Sequence, residues 1–353
     1  MATVKCLVWD LDGTLWRGTL LEGDDVRVPD AVRRTVAELD ARGILQSVAS
    51  RNDHDLAWSR LEELGVAEYL VLPRIGWGPK SESVRSIADE LGFAHHTIAF
   101  IDDLPAERAE VEERVPGVRC YPAEESGSLS SRPEFSPAVV TEDARDRRRR
   151  YQAGFRRDAA RGAHTGPDEA FLRSLDIVMT IERASREHLA RIEELTLRTS
   201  QMNATGVHYA AAALESLLAD PAHEVLVAAM ADRFGSHGAV GVVLLERHAA
   251  AWHLKLLATS CRVVPFGAGS AILGWLLDEA ARAGAHLLAD FRPTERNRMM
   301  EVAYRFAGFD DGDCPCRAAV EPREGVRLLH LAPGPRRPVT SMRVDALDLG
   351  RAR

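Results

Sequence analysis

Four polar groups in the first third of the chain could do chemistry together. Asp10 and Asp12 stand two apart in Asp10-Leu-Asp12-Gly-Thr14; Ser50-Arg51-Asn52-Asp53 follows, then Lys80, then Asp102-Asp103. A carboxylate such as Asp10 can attack phosphorus to give an aspartyl-phosphate, splitting hydrolysis of a phosphate ester into two easier steps. Asp12 can protonate the leaving alkoxide and later activate water. Ser50 can hydrogen-bond a phosphate oxygen, with Arg51 and Asn52 beside it in the substrate-binding set, while Lys80 offsets the repulsion between a carboxylate and a phosphate. Asp10, Asp102 and the backbone carbonyl of Asp12 make the hard oxygen set that Mg²⁺ prefers. Taken singly, each acidic residue reads as a turn cap at a strand end. The ordered set points instead to phosphoryl transfer.

Such residues meet only if they end neighbouring strands. Val4 to Trp9 reads as a buried strand, followed by a helix from Asp30 with Val32, Val36 and Leu39 on one face and Gly43 as its stop. Strand 44–49, a helix carrying Ala57, Leu61 and Leu64, a run at 69–72, a helix from Ser81 and strand 97–101 complete a βαβ succession. Crossover connections make such strands parallel and cover both faces, and ligands bind outside their carboxyl ends. Serines and prolines then break the rhythm, so residues 123–176 are expected to be a linker with helical segments between a domain over 1–122 and a second over 177–335, with a tail at 336–353. The second domain reads as α+β: strands at 177–181, 224–230, 239–246, 252–259 and 285–290, a hairpin turn at Asp232-Arg-Phe-Gly235, and helices before and after.

Lys+Arg 45 against Asp+Glu 53 gives a net charge of −8. The one basic run, Arg147 to Arg150, has acidic neighbours and reads as a solvated helix face, so nucleic acid is not an expected partner. No apolar stretch reaches membrane-spanning length and the start of the chain has no signal-like segment, so no membrane association and a cytoplasmic location are expected. Five scattered cysteines argue for free thiols. Cys314-Pro-Cys316 is the one local pair; with no second pair or nearby histidine in the sequence, no structural metal is expected there.

Residues 4 to about 120 resemble the haloacid-dehalogenase (HAD) superfamily, with Asp10/Asp12, Ser50, Lys80 and Asp102 in its four motif positions. Only 37 residues separate Asp12 from Ser50 and 21 separate Lys80 from Asp102, which leaves no room for a large inserted cap. Further segments match a narrower group: Trp77-Gly-Pro-Lys80-Ser-Glu, Phe100-Ile-Asp102-Asp103-Leu-Pro-Ala-Glu-Arg108, Leu195-Thr-Leu-Arg-Thr-Ser-Gln201-Met-Asn203, Asp232-Arg-Phe-Gly235 and Ser260-Cys261-Arg262-Val263. Over nearly its whole length the chain resembles the FkbH-like proteins of polyketide pathways. The fold implied is α/β: an N-terminal HAD-like Rossmannoid parallel sheet without a large cap, plus a C-terminal α+β domain similar to the GNAT acetyltransferases. The implied activity takes a three-carbon unit from 1,3-bisphosphoglycerate, removes both phosphates and loads glyceryl onto the phosphopantetheine of an acyl carrier protein.

That chemistry needs a thiol, because an acyl phosphate can be displaced by a thiolate and the thioester passed to another thiol. Cys261 is the candidate. It follows a strand, precedes a glycine-containing loop, and has Arg262 beside it to favour thiolate or bind phosphate. Cys6 lies about 13 Å up the strand from Asp10 and reads as core. Tyr304 and Asn297 resemble positions in the last helix of the acetyltransferase fold, whereas His208, His237 and His253 read as solvent, turn or packing residues. Departures from the family pattern are Pro265 in the glycine-rich loop, Ser236 where a carboxylate is frequent and Leu104 where an Asn is usual. Two alternatives stay open: a stand-alone Mg²⁺ phosphatase with a carrier-protein docking domain, and a CoA-dependent acyltransferase.

Overall fold

All four residues of β1 (Cys6–Trp9) are buried, and their side chains alternate between two cores. Leu7 and Trp9 join Val32, Val36 and Leu39 of α1 (Asp30–Ala41) and Ala57 and Leu61 of α2 (His54–Glu63). Cys6 and Val8 join Val84, Ile87 and Ala88 of α3 (Lys80–Leu91) and Val111 of α4 (Pro105–Arg114). An uninterrupted apolar strand must be covered on both faces, and here the coverage comes from two pairs of helices. β2 (Leu45–Ser50) and β4 (Ile98–Asp102) flank β1 in parallel. β3 (Arg74–Ile75) lies beyond β2 and β5 (Arg119–Pro122) beyond β4, giving the order β3-β2-β1-β4-β5. The chain moves outward from β1 to β3 and then crosses to the other side of β1. The gap between β1 and β4 is therefore the switch point at which open α/β sheets bind ligands.

The computed structural model describes residues 3–137, 140, 142–249, 251–334 and 342–350. It forms two compact units, Met1–Phe155 and Arg156–Arg353. Within the first, the expected run at 69–72 is not a strand; a 3₁₀ turn at Ala67–Tyr69 leads into the two-residue β3. The Ser/Pro-rich residues after β5 form short 3₁₀ turns whose Leu129 and Phe135 enter the β1–α1 core. After α5 (Glu142–Arg145) comes α6 (Arg147–Ala163). The reading of Arg147–Arg150 as a solvated face is corrected at Arg148, which is buried. It pairs with Asp40 at 2.8 Å, donates to the Glu68 carbonyl at 2.6 Å and lies over the Tyr69 ring. An arginine has enough hydrocarbon and donors to anchor a helix while keeping its charge paired.

In the second unit α7 (Asp168–Ser174) precedes β6 (Val178–Arg183), α8 (Leu189–Arg198) and α9 (Ala211–Ala219). There follow β7 (His223–Asp232), β8 (Gly235–Arg247), β9 (Ala251–Thr259), α10 (Ala268–Arg282), β10 (His286–Phe291), α11 (Arg298–Phe306), β11 (Arg327–Leu331) and β12 (Arg343–Ala346). The sheet runs β11-β10-β9-β8-β7-β6-β12. β9 and β10 pair in parallel, as do β12 and β6; the other neighbours are antiparallel. Leu189, Ile192 and Leu214 from α8 and α9 cover one face, while Ile272 and Leu276 of α10 and Met300 and Tyr304 of α11 join the other core. Both expected architectures are present: a HAD-like parallel α/β sheet without a large cap, and an α+β GNAT-like sheet. Among the described residues no helix is long and apolar enough to cross a membrane.

Candidate active site

β1 and β4 pair with Trp9 opposite Ile101, so the next residues, Asp10 and Asp102, leave the sheet side by side. The Asp10 N–H still donates to the Ile101 carbonyl at 2.9 Å, which fixes the start of the turn. Ser50 ends β2 and Lys80 opens α3, so the same sheet edge receives all four. Lys80 Nζ donates to Asp10 Oδ1 at 2.6 Å and to Asp102 Oδ2 at 2.5 Å, and all three side chains are buried. Pro79 suits the position before a helix, where its missing N–H costs nothing, and delivers Lys80 into the site. Asp102 is held in turn by the Leu104 N–H on Oδ1 at 2.7 Å, while Arg108 donates to the Asp102 and Asp103 carbonyls.

Asp12 lies in the turn after β1, and its carboxylate is held by three donors. Oδ1 accepts from the Trp16 indole at 2.7 Å and the Leu20 N–H at 2.9 Å; Oδ2 accepts from Asn52 Nδ2 at 2.9 Å. Asn52 is therefore a support for Asp12. Arg51 points to the rim, where it pairs with Glu107 at 2.7 Å. Trp77 is 69% exposed and Leu104 also stands out to solvent, so apolar side chains flank the polar edge. Gly13 adopts φ 69°, and a Cβ there would meet Asp103 Oδ2 at 2.8 Å. Glycine is needed for both reasons, and its absence of side chain lets Asp103 come close.

Asp103 is the residue that sequence reasoning left out of the site. Asp10, Asp102 and Asp103 offer three carboxylate oxygens within 4.8 Å of one another. Burial pushes the Asp10 carboxyl up to about 6, Lys80 opposes that rise and Asp102 adds to it. Asp103 is also raised, by burial and by Asp102. Lys80 is raised above its usual range by the Asp10 and Asp102 charges, against the effect of its burial. Three clustered carboxylates balanced by one ammonium form an oxygen-only, electron-rich donor set, which fits Mg²⁺. The signal in the sequence was the doubled Asp102-Asp103, whose second member needed the Gly13 turn to bring it in.

In the second unit, Cys261 follows β9 as the first residue of a 3₁₀ segment (Cys261–Phe266) and is exposed. The Ser260 N–H donates to the Val240 carbonyl and Val263 is buried, so the segment is anchored on both sides of the thiol. Arg262 is exposed beside it, with Nε 3.5 Å from Ser260 Oγ. Cys6, by contrast, is wholly buried with its thiol pushed up by desolvation, as expected of a core residue. β9 pairs with β10 only from Ala251 to Leu254. Beyond that the edge of β9 is taken by the chain itself: Ala204 N–H donates to the Leu257 carbonyl at 3.0 Å and Thr259 N–H to the Met202 carbonyl at 2.9 Å. Buried Asn297 secures this insert by donating to the Asn203 and Arg292 carbonyls at 3.0 Å. Tyr304 is buried against Phe309, and its hydroxyl has no partner among the described residues, which is the environment of a packing side chain. His237 holds the hairpin turn by bonding Asp232 at 3.1 Å. His253 is buried against Asp290 at 2.9 Å.

No protein-family model matches the chain, and no curated protein matches it significantly. Several solved structures are similar to it. The N-terminal part of a Bacteroides fragilis protein containing a phosphatase domain, complexed with Mg, is 26% identical over 40% of this chain and 42% of its own, with a TM-score of 0.35. The chain thus spans about two-fifths of that structure. GCN5 of Tetrahymena is 14% identical over 46% of this chain and 99% of its own, TM-score 0.35. The ribosomal-protein-S18-alanine N-acetyltransferase of Escherichia coli is 15% identical over 45% and 96%, TM-score 0.32.

Proposed function

We propose that the chain is a bifunctional enzyme, a Mg²⁺-dependent phosphatase joined to a thiol acyltransferase. In this reading it loads glyceryl from 1,3-bisphosphoglycerate onto an acyl carrier protein. The observation that carries the phosphatase half is the buried convergence of Asp10, Asp102 and Lys80, with Asp12 oriented two residues on. Asp10 attacks the phosphorus of the 3-phosphate, the P–O bond to the three-carbon unit breaks, and the alkoxide leaves with a proton from Asp12. Asp12 then takes a proton from water, whose oxygen attacks the aspartyl-phosphate, releasing inorganic phosphate and restoring Asp10. A carboxylate has about four lone-pair sites. Trp16 and Leu20 fill both on Asp12 Oδ1 and Asn52 fills one on Oδ2, which leaves Oδ2 as the atom that carries the travelling proton. Lys80 spends two N–H bonds on the aspartates among the described residues and has a third for a phosphate oxygen. Asp10, Asp102 and Asp103, with the Asp12 carbonyl, would hold Mg²⁺, which supplies charge neutralisation at the phosphoryl oxygens.

For the acyl half, the Cys261 thiolate attacks the carboxyl carbon of the acyl phosphate, the C–O bond to phosphate breaks, and the thioester passes to the carrier's phosphopantetheine thiol. The exposure of Cys261 supports this role. Intact-protein mass spectrometry tests the proposal, using 1,3-bisphosphoglycerate generated in place, Mg²⁺, and carrier protein present or absent. A hydroxylamine-labile glyceryl-sized adduct on Cys261 that moves to the carrier is the expected result. Phosphate release with no adduct would reject the acyl half and leave the phosphatase.

A further inference from the structure

The expectation that Cys314-Pro-Cys316 has no partners is overturned by the fold. His286 opens β10, and His330 lies in β11 opposite Leu288, so antiparallel pairing sets the two imidazoles diagonally on one face. The loop between α11 and β11 folds Cys314 and the 3₁₀ turn Pro315–Ala319 over them. His286 stands 28 residues before Cys314 and His330 14 after Cys316, which is why local spacing hid the group. His286 Nδ1 lies 2.8 Å from His330 Nε2 and 3.6 Å from Cys314 Sγ, and Cys316 Sγ lies 3.1 Å from Cys314 Sγ. All four ligand atoms fall within 4.8 Å of one another, and both cysteines are free thiols.

We infer that His286, Cys314, Cys316 and His330 form a structural Zn²⁺ site in the second unit. Zinc bonds of about 2.3 Å to sulfur and 2.0–2.1 Å to nitrogen give tetrahedral edges of about 3.8 Å for S–S, 3.6 Å for S–N and 3.4 Å for N–N. The edge between Cys314 and His286 already matches, the N–N edge needs to open by about 0.6 Å and the S–S edge by about 0.7 Å, small side-chain adjustments. Two thiolates with two imidazoles select Zn²⁺ over the hard cations suited to the Asp10 site. Asp310 Oδ1 sits 3.6 Å from His330 Nδ1, the far side of the ring, and two backbone hydrogen bonds between these residues hold it there. A carboxylate behind a ligating histidine fixes which nitrogen faces the metal. Four protein ligands close the coordination sphere, so the ion fastens the loop between α11 and β11 to the edge of the sheet. Binding breaks two S–H bonds and forms two S–Zn bonds; two protons leave to solvent and no electron is transferred.

The test uses the full chain, expressed without a polyhistidine tag in zinc-supplemented medium. Elemental analysis should find about one zinc per chain, and returning Zn²⁺ to the chelated protein should release about two protons per metal. Co²⁺ in its place should give intense thiolate-to-cobalt absorption, a readout on the unmutated chain that needs no variant to fold. Cys314→Ser/Cys316→Ser should lose the metal and the bands, whereas Asp10→Asn should keep both. Zinc-free protein whose apo form shows no cobalt–thiolate bands would overturn the inference. So would zinc retained by the double variant, or a Cys314–Cys316 disulfide found by mass spectrometry in freshly purified protein.

Discussion

Asp10 is held in the folded protein with its carboxyl near 6, against an ordinary value of 3.8. The folded state therefore binds an extra proton between these values. Its contribution to stability is fully present below pH 4 and is lost as pH rises through 6. Two pKa units correspond to about 3 kcal/mol. In metal-free protein Asp10→Asn removes this titration. Measured relative to wild type, the melting temperature of the variant should rise between pH 4 and pH 7 by about 6–12 °C, at 2–4 °C per kcal/mol for a unit of this size. The Lys80–Asp10 attraction acts only on the ionised carboxyl and is already contained in the value near 6, so the comparison between the two pH values reads the titration of Asp10. Mg²⁺ at a hundred times its dissociation constant should restore about 2.7 kcal/mol to the wild type and far less to the variant. The assay is thermal unfolding across pH 4–7 in chelator and in Mg²⁺. A difference between variant and wild type that is flat with pH would refute the reasoning that burial strains this carboxylate.

Three further outcomes follow from single contacts. Trp16→Phe removes one of two donors on Asp12 Oδ1, and a hydrogen bond to a charged group is worth about 1.5–3 kcal/mol, so phosphate release should slow at least about tenfold while Mg²⁺ affinity holds; unchanged turnover would mean Trp16 does not orient Asp12. Gly13→Ala places a side chain at φ 69° against Asp103, and Mg²⁺ affinity measured by calorimetry should fall. Asp232→Asn breaks a buried pair in which Arg157 and His237 meet one carboxylate, and should destabilise the second unit by about 3–5 kcal/mol in denaturant titration. Its hydrogen bonds hold the Asp232 carboxyl well below the usual range despite burial, so this contribution is present above pH 4 and is lost only as the solution becomes strongly acidic.

The parallel sheet was legible because alternation and stop signals act locally: an apolar run followed by Asp, and glycines such as Gly92 in the left-handed region, mark element ends wherever they occur. β5, β11 and β12 escaped because they are four or five residues long and take their definition from strand pairing, and α9 because no side-chain cap marks its start. The same division runs through the candidate site. Asp10, Lys80 and Asp102 could be read from order alone, since each ends or begins an element. Asp103 and Trp16 could not, because one depends on a missing Cβ at Gly13 and the other on a turn that folds back onto Asp12. The histidines around Cys314 were invisible for a similar reason, being joined through strand pairing and not through sequence distance.

The insert at residues 202–204 has a consequence for solubility. Where β9 and β10 part, each strand would present a row of unpaired N–H and C=O groups in the middle of a seven-stranded sheet. Such a row is a template onto which an extended segment of another molecule can add. Met202 and Ala204 satisfy the β9 groups, the Ala204 carbonyl accepts from the Arg292 N–H beyond β10, and Asn297 locks the arrangement through Asn203. The protein thus carries its own plug against strand addition, and a change that loosens Asn297 would be felt first as self-association.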